Sequence, residues 1–371
     1  MAGLQEHDMR SMKESLQAYL SKTPAEEDDE EEEKGNDNKV KTYIVESNID
    51  DPRRIEYWPL ESKLNGTTDS NLWTVNIPTN SSDDLFLFLD TTDPRFWLFH
   101  TYGKSKPVQD FIDKLITQDR SKLDYSWFAS NFLENRCNIG VGTGFGLKYF
   151  NSFLENTEEI EEKGLHRFSM LFWGQQPSQV LAGLKGNQVL VSGVALSRIK
   201  RIFKTQDGYV KENIHSNGQF TLTKGDSIDS HFLAVDKVKN QYSQLIEKIE
   251  NNYRIQYQST DSGFRIKGTY VVIEFTKKIE NMGLFIKNFL SCTQPFRLFG
   301  IPRIESETFV KVAAVDLHTY DKFNMEITPE SIRLFLDQES CGNVITRLMT
   351  NLQHYYDSQI VIKGCNDEQI L

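Results

Sequence analysis

Cysteine is scarce in this sequence and widely spaced. The 371 residues include four cysteines, and no two of them form a Cys-x-x-Cys pair. This spacing argues against a zinc ribbon or a dense disulfide framework and favours a reducing compartment. The N-terminus has no apolar signal segment, and no apolar run approaches the roughly 18 residues of a membrane span. These absences predict a soluble, cytoplasmic protein with no membrane partner.

Sequence signatures of well-known catalytic sites are missing as well. The seven histidines form no His-x-His or His-x3-His cluster, and the chain has no Gly-x-Ser-x-Gly. Gly103-Lys104-Ser105 precedes a predicted helix, but Leu98 occupies the position where a phosphate-binding loop needs its first glycine. The glycines from Gly140 to Gly146 do not match Gly-x-Gly-x-x-Gly. We therefore expect no cofactor and no metal.

Negative charge is abundant but unevenly distributed. The formal net charge is −11, and residues 1–40 hold twelve acidic and five basic side chains. The rest of the chain is only mildly acidic as a result. A long-range field that attracts nucleic acid or an anionic membrane is therefore not expected.

Residues 226–252 are predicted to form one long amphipathic helix that organises the fold. Their apolar side chains recur every three or four positions, which places them on one stripe of an α-helix. Asp226 or Ser227 is expected to cap the first turn. The stripe consists of Ile228, Phe232, Val235, Val238, Tyr242, Leu245, Ile249 and Tyr253.

The remaining pattern predicts an α+β protein with mixed or antiparallel sheets and packed helices. Strand-like and helix-like segments alternate irregularly, without a steady βαβ repeat. Residues 264–278, FRIKGTYVVIEFTKK, predict one long strand. The length of the chain favours two α+β domains, and we place them at residues 40–205 and 206–371.

The first 40 residues predict a short amphipathic helix on a tether. Within residues 1–21, the apolar residues Met9, Met12, Leu16 and Leu20 fall at helical spacing. Residues 22–39 include an uninterrupted acidic run, 26–33, which repels itself and predicts a disordered linker. The apolar stripe could enter a groove on a partner protein, fold back on its own domain, or have no role.

Arg347 and His354 are candidate catalytic residues on a predicted C-terminal helix. They lie seven residues apart, close to two helical turns, and so share a helix face. The pair resembles the Arg-x4–6-His motif of helical ribonucleases of the HEPN family, and the resemblance covers this pair alone. It implies that the histidine acts as acid or base while the arginine holds a phosphate. A structural histidine is the alternative.

A small basic patch is a second candidate site. Phe203 and Tyr209 lie close to it in sequence, and basic residues interleaved with aromatic ones are typical of single-stranded nucleic-acid binding. The nearby acidic residues Asp207 and Glu212 favour the alternative of a solvated strand end. The patch consists of Arg198, Lys200, Arg201 and Lys204.

These patterns favour a non-catalytic, cytoplasmic interaction or regulatory protein that holds a protein partner through its N-terminal peptide. One alternative is a protein that binds or processes nucleic acid through the basic patch or the Arg347/His354 pair. Another is an enzyme acting on a small molecule at the domain junction.

Overall fold

The structure, a computed structural model, describes residues 7–22, 39–78, 85–118, 122–153, 165–261 and 263–371. Helices account for 30% of the residues and strands for 37%, and many strand pairs are antiparallel. This composition confirms the predicted α+β class. Residues 23–38 of the predicted acidic linker lie outside the described residues. Among the helices of the described ranges, none is long and apolar enough to cross a membrane.

The helices and strands follow one another irregularly along the chain. The α-helices of the described residues are α1 (Met9–Lys22), α2 (Ser105–Thr117), α3 (Ser130–Asn135), α4 (Pro177–Lys185), α5 (Ile228–Tyr253), α6 (Met282–Phe289) and α7 (Asn343–Tyr355). The strands are β1 (Lys41–Ser47), β2 (Lys63–Gly66), β3 (Leu72–Ile77), β4 (Leu85–Asp90), β5 (Phe96–Thr101), β6 (Leu123–Tyr125), β7 (Val141–Phe150), β8 (Arg167–Trp173), β9 (Leu196–Lys204), β10 (Tyr209–His215), β11 (Gln219–Gly225), β12 (Gln256–Thr260), β13 (Gly263–Lys267), β14 (Val271–Glu274), β15 (Leu298–Ser306), β16 (Phe309–Asp316), β17 (Lys322–Ile327), β18 (Ser331–Leu336) and β19 (Val361–Gly364).

The chain forms two compact units, each assembled from separated segments. Unit 1 consists of Met1–Ser126, Asn138–Gly144 and Ile199–Asn240. Unit 2 consists of Trp127–Cys137, Phe145–Arg198 and Gln241–Leu371. The predicted domains, 40–205 and 206–371, stay a prediction, and the two units serve below to place each site.

Unit 1 contains a sheet in which β1 is central. The strand order runs β2-β3-β4-β5-β1-β11-β10-β9, and β6 also pairs with β1. Thr42 of β1 lies opposite His100 of β5 in the antiparallel register. Every residue of β1 and β5 is buried. The polar side chains on these two strands must therefore find hydrogen-bond partners inside the unit.

Unit 2 is built around a second sheet and the helix α7. The strand order is β15-β16-β17-β18-β14-β19, and β12 and β13 form a separate two-stranded ribbon. Helix α7 is buried from Asn343 to Gln353. Its Asn351 side-chain amide donates a hydrogen bond of 3.1 Å to the Pro295 carbonyl oxygen. The polar residues of α7 are therefore core residues, although their sequence is that of an ordinary amphipathic helix.

The predicted organising helix is confirmed as α5, which spans Ile228–Tyr253. Of the eight predicted stripe residues seven are buried, and Phe232 is partly exposed. Ser227 caps the helix as expected, because its hydroxyl accepts a hydrogen bond of 3.2 Å from the Ser230 N–H. The Asp226 carboxylate instead accepts a hydrogen bond of 2.8 Å from the Tyr209 N–H.

The prediction of one long strand over residues 264–278 is wrong. The segment divides into β13 and β14, which belong to different sheets. Gly268 lies between them with φ +92°, a conformation that favours glycine. A Cβ at this position would lie 2.1 Å from the Arg254 carbonyl oxygen. The backbone therefore turns at Gly268, where sequence periodicity alone gave no break.

Candidate functional site at the N-terminal helix

Helix α1 packs against the rest of unit 1 through its predicted apolar stripe. Met12 and Leu16 are buried, with exposures of 1% and 0%, whereas Met9 and Leu20 are partly exposed. Full burial of a methionine or leucine side chain contributes about 1.5–3 kcal/mol. These two side chains are the apolar anchors of α1.

Helix α1 begins through local hydrogen bonds. The Ser11 N–H donates to the Asp8 carboxylate over 2.7 Å, and the Asp8 N–H donates to the Ser11 hydroxyl over 2.9 Å. This reciprocal arrangement is a capping box. The hydrogen bonds from Ser11 lower the pKa of the Asp8 carboxyl. The start of α1 is thus encoded in its own sequence, independently of the surface on which it lies.

Gln17 of α1 completes the start of α5. The Ile228 N–H donates to Gln17 Oε1 over 2.7 Å, and Gln17 Nε2 donates to the Asp226 carbonyl oxygen over 3.0 Å. The first N–H groups of any α-helix lack partners within that helix. Ser227 caps the Ser230 N–H, and Gln17 supplies from a distant segment the acceptor for the Ile228 N–H.

Lys13 adds an electrostatic contact beside this cap. Its ammonium lies 2.7 Å from Asp229 Oδ1 and 5.2 Å from the ring centroid of Phe232. The Lys13 and Asp229 side chains are 43% and 60% exposed. An ion pair so exposed contributes at most about 1 kcal/mol to stability. The pair therefore helps to orient α1 and adds little to the strength of its packing.

Two further contacts hold the ends of the segment. The Thr68 hydroxyl donates to the His7 carbonyl oxygen over 2.8 Å, and the His7 ring lies 5.7 Å from that of Phe88. Tyr19 stacks on Tyr102 with a centroid distance of 4.6 Å. We call the residues that make these contacts with residues 7–22 the α1 seat. The α1 seat consists of Thr68, Phe86, Phe88, Tyr102, Asp226, Ile228, Asp229 and Phe232.

A fully buried chain of hydrogen bonds lies next to the α1 seat. His231 Nδ1 is 2.6 Å from Glu212 Oε1, and His231 Nε2 is 2.7 Å from the Thr42 hydroxyl. The same hydroxyl is 2.8 Å from His100 Nδ1. All four side chains have 0% exposure. We call these four residues the histidine network.

The single hydroxyl proton of Thr42 sets the direction of these hydrogen bonds. Thr42 can donate to only one imidazole and must accept from the other. In the arrangement with a neutral His231 whose Nδ1–H donates to Glu212, Thr42 donates to His231 Nε2 and accepts from His100 Nδ1–H. His100 Nε2 then carries a bare lone pair, and it has no hydrogen-bond partner among the described residues. A hydroxyl, an imidazole and a carboxylate in series also form the arrangement of a nucleophilic triad, but this one is sealed from solvent.

Residues 7–22 contact Phe232 and Phe88, two neighbours of His100. The Phe232 ring, which lies under the Lys13 ammonium, packs edge-on against His100 at 4.8 Å. Phe88, which contacts His7, is the strand neighbour of His100 in the β4–β5 pair. The α1 seat and the histidine network are therefore adjacent, and a change in one reaches the other through Phe232 and Phe88.

We expect acid to destabilise unit 1 through His100. Burial lowers the pKa of His100 well below the ordinary range, and its neighbours His231, Lys239 and Lys13 lower it further. The unfolded chain, with a histidine pKa of about 6.5, then binds more protons than the folded chain below that pH. The stability that neutral His100 provides is complete above about pH 6.5 and decreases as the pH falls, by up to about 1.4 kcal/mol per pH unit.

Urea unfolding between pH 7.5 and 5.5 measures this dependence. The variant His100→Asn keeps a polar group near the Nδ1 position but does not titrate, so its stability should fall less steeply with acid. Equal slopes for the two proteins would contradict the assignment to His100. Burial also lowers the pKa of His354 in unit 2, so part of the slope should persist in the variant.

A family model matches the whole chain, and a relative matches 95% of it. A family model described as MJECL33-like protein matches residues 1–371. The chain belongs to the MJECL33-like family. The uncharacterized protein MJECL33 of Methanocaldococcus jannaschii is 29% identical over 391 residues, which cover 95% of this chain and 91% of the relative. No solved structure matches this MJECL33-like chain.

The candidate residues Arg347 and His354 of this MJECL33-like chain contact different partners. The Arg347 guanidinium is fully buried and lies 2.6 Å from Asp316 Oδ1. His354 Nδ1 donates to the Lys148 carbonyl oxygen over 2.6 Å. These contacts account for both side chains structurally, and a shared catalytic role stays a prediction.

The four residues of the predicted basic patch lie in different environments on β9. Lys200 is buried, with 3% exposure, whereas Lys204 is exposed. Arg201 donates to the Asn138 side-chain oxygen over 3.1 Å, and Arg198 packs against Gly146. A nucleic-acid role for these four residues stays a prediction.

Sequence reasoning missed the histidine network and the cap from Gln17. Periodicity carried a signal for two of the network residues. His231 lies three residues after Ile228 and four before Val235, on the buried stripe of α5. Glu212 lies between the buried residues Val210 and Ile214 on alternate positions of β10. The partnership of these residues with Thr42 and His100 depends on strand order, which no local pattern contains.

Proposed function

We propose that this MJECL33-like chain is a non-catalytic interaction or regulatory protein whose partner-binding element is α1. One observation carries the proposal. Met12 and Leu16, two of the four residues predicted to enter a partner's groove or to fold back on their own domain, are the residues of α1 buried in unit 1. Helix α1 must leave its seat before these residues bind a partner. Binding to a partner and docking on unit 1 are then mutually exclusive, which makes α1 a switch.

The contacts of α1 are compatible with reversible docking. An isolated helix of 14 residues is marginal in water, so α1 gains most of its stability from the surface on which it packs. Residues 23–38 connect Lys22 to Lys39, and a connection of this length keeps a released helix near its seat at an effective concentration on the order of mM. A partner must therefore bind α1 strongly enough to exceed this local competition.

Release of α1 also changes the surroundings of the histidine network. Lys13 would leave Phe232, and His7 would leave Phe88, so these two neighbours of His100 would lose their cover. Unit 1 would thus respond to the occupied or vacant state of the α1 seat. This response is the regulatory part of the proposal.

A labelled peptide of residues 7–22 tests whether the seat accepts α1 reversibly. We expect the peptide to bind the full-length variant Met12→Glu/Leu16→Glu, in which two buried charges displace the resident helix. The wild-type chain should bind it at least about a hundredfold more weakly, because its own α1 competes at high local concentration. Fluorescence anisotropy measures both affinities.

Two controls make this experiment specific. A peptide with the same two glutamates should not bind the variant chain. The variant Arg10→Ala/Glu14→Ala, which removes an exposed ion pair on α1, should behave like the wild type. If a folded Met12→Glu/Leu16→Glu chain does not bind the unmodified peptide, α1 is an integral part of unit 1 and the switch does not exist.

A further inference from the structure

Unit 2 contains a cavity of about 370 Å³ with one aromatic wall and one polar rim. The wall consists of Phe153, Phe285 and Tyr356, whose ring centroids lie 5.0–5.2 Å apart. All three aromatic residues are nearly buried, with exposures of 2–8%. This volume lies at the lower end of the range of small-molecule sites, about 300–1,000 Å³. The cavity therefore suits a compact ligand with a flat, apolar body.

Lys277 is a charged residue of the cavity rim. It is partly buried, and its ammonium makes no salt bridge with any residue that the structure describes. The ammonium lies 5.8 Å from the ring centroid of Tyr149. Burial lowers the pKa of Lys277, whereas the charge of Asp357 opposes this shift. An anion at this end of the cavity would give the Lys277 ammonium a salt bridge, which no residue of the described ranges provides.

The backbone of Lys277 is held rigidly by Asp357. The carboxylate of Asp357 accepts hydrogen bonds from the Lys277 N–H at 3.1 Å and the Thr276 N–H at 2.6 Å. It also accepts hydrogen bonds from the Thr276 hydroxyl at 2.9 Å and the Gln359 N–H at 3.1 Å. These donors occupy the Asp357 carboxylate. These hydrogen bonds fix the backbone from which the lysine side chain extends, while the flexible stem lets the ammonium reach a ligand.

The remaining charges on the rim favour an anion of low charge. Lys278 lies 2.8 Å from Glu330, and both side chains are largely exposed. Glu280 adds a carboxylate to the lining, and its repulsion is about half as large for a monoanion as for a dianion. Helix α6 begins at the rim, with Asn281 Oδ1 accepting a hydrogen bond of 2.9 Å from the Leu284 N–H. The partial positive charge of a helix N-terminus also favours a single negative charge nearby.

We propose that this cavity of unit 2 binds a small monocarboxylate with an aromatic or flat apolar body. Lys277 holds the carboxylate, and Phe153, Phe285 and Tyr356 hold the ring. This inference is independent of the α1 switch, because it concerns a different unit and a different class of ligand. It gives unit 2 a small-molecule binding role that the sequence did not indicate.

Naphthalene-2-carboxylate is a suitable probe, and its neutral amide is the matched control. We expect the carboxylate to bind the full-length chain, and the amide to bind about ten- to a hundredfold more weakly, as for loss of one charge-assisted hydrogen bond. Lys277→Met should weaken carboxylate binding by a similar factor and leave amide binding unchanged. Lys311→Met, which removes a half-exposed ammonium paired with Glu326 at 3.7 Å and lying outside the cavity lining, should change neither by more than about threefold.

Isothermal titration and probe fluorescence both give these affinities. Equal binding of the carboxylate and the amide would overturn the role of Lys277, as would unchanged carboxylate affinity in a folded Lys277→Met chain. No binding of either probe up to about 10 mM, near the weak end of measurable affinity, would overturn the site itself. The affinity for the carboxylate should also fall as the pH rises through the pKa of Lys277, because the lysine loses its charge. The affinity for the amide should stay the same over this range.

Discussion

Replacing Arg347 with methionine is expected to destabilise the protein by about 3–5 kcal/mol, because the change leaves a buried carboxylate without its counter-charge. Arg347 and Asp316 are both fully buried, and their side chains lie 2.6 Å apart. Asp316 also accepts hydrogen bonds from the His318 N–H and the Thr319 hydroxyl, at 2.9 and 3.1 Å. These two hydrogen bonds do not compensate for the loss of a full positive charge.

Urea unfolding of Arg347→Met measures this loss, and two further variants interpret it. Arg347→Met/Asp316→Asn removes both charges and should recover part of the stability, since the unpaired carboxylate is gone. Arg333→Met breaks a half-exposed pair with Glu326, 3.5 Å apart, and should cost at most about 1 kcal/mol. A loss below about 1 kcal/mol in Arg347→Met would show that Arg347 contributes little to stability and would favour the predicted phosphate contact.

The second large effect is expected for Thr42→Val, which removes one hydroxyl and keeps the shape of the side chain. The change leaves His231 Nε2 and His100 Nδ1 buried without their shared partner. Each unsatisfied buried polar group costs about 1–3 kcal/mol, so the total should reach about 2–6 kcal/mol. Valine suits a central strand, so backbone preference adds little to this loss.

Thermal and urea unfolding of Thr42→Ser and Thr221→Val provide the comparison for this variant. Serine keeps the hydroxyl and should lose much less stability than valine. Thr221 is a partly buried strand residue that accepts one hydrogen bond of 3.1 Å from Gln219, and its replacement should have a small effect. Equal losses for Thr42→Val and Thr42→Ser would show that the hydroxyl does not hold the histidine network together.

Periodic patterns predicted the helices of this chain well and its strand breaks poorly. The stripe of α5 was correct because three- and four-residue spacing is a local property that packing preserves. The break at Gly268 was missed because its cause is the Arg254 carbonyl oxygen, which lies 2.1 Å from where a Cβ would be. A pattern of neighbouring residues does not show that a carbonyl oxygen from another segment lies so close to Gly268.

The histidine network shows the same limit at the candidate site. The position of Glu212 near the basic patch favours a solvated strand end, yet its side chain is fully buried beside His231. Its alternation with Val210 and Ile214 indicated burial, but nothing near it in sequence indicated a histidine partner. His231 and Glu212 are separated by β11, and only the packing of α5 against the sheet brings them together.

The sequence by itself determined the α+β class, the long helix α5 and the amphipathic α1, because spacing, capping residues and turn formers act between close neighbours. Tertiary structure alone decided that Met12 and Leu16 pack on unit 1, that Gln17 caps α5, and that Thr42 joins two histidines. It also placed Lys277 in the lining of the same cavity as the aromatic residues Phe153, Phe285 and Tyr356. These contacts join residues far apart in the chain, and strand order and helix packing determine which distant side chains meet.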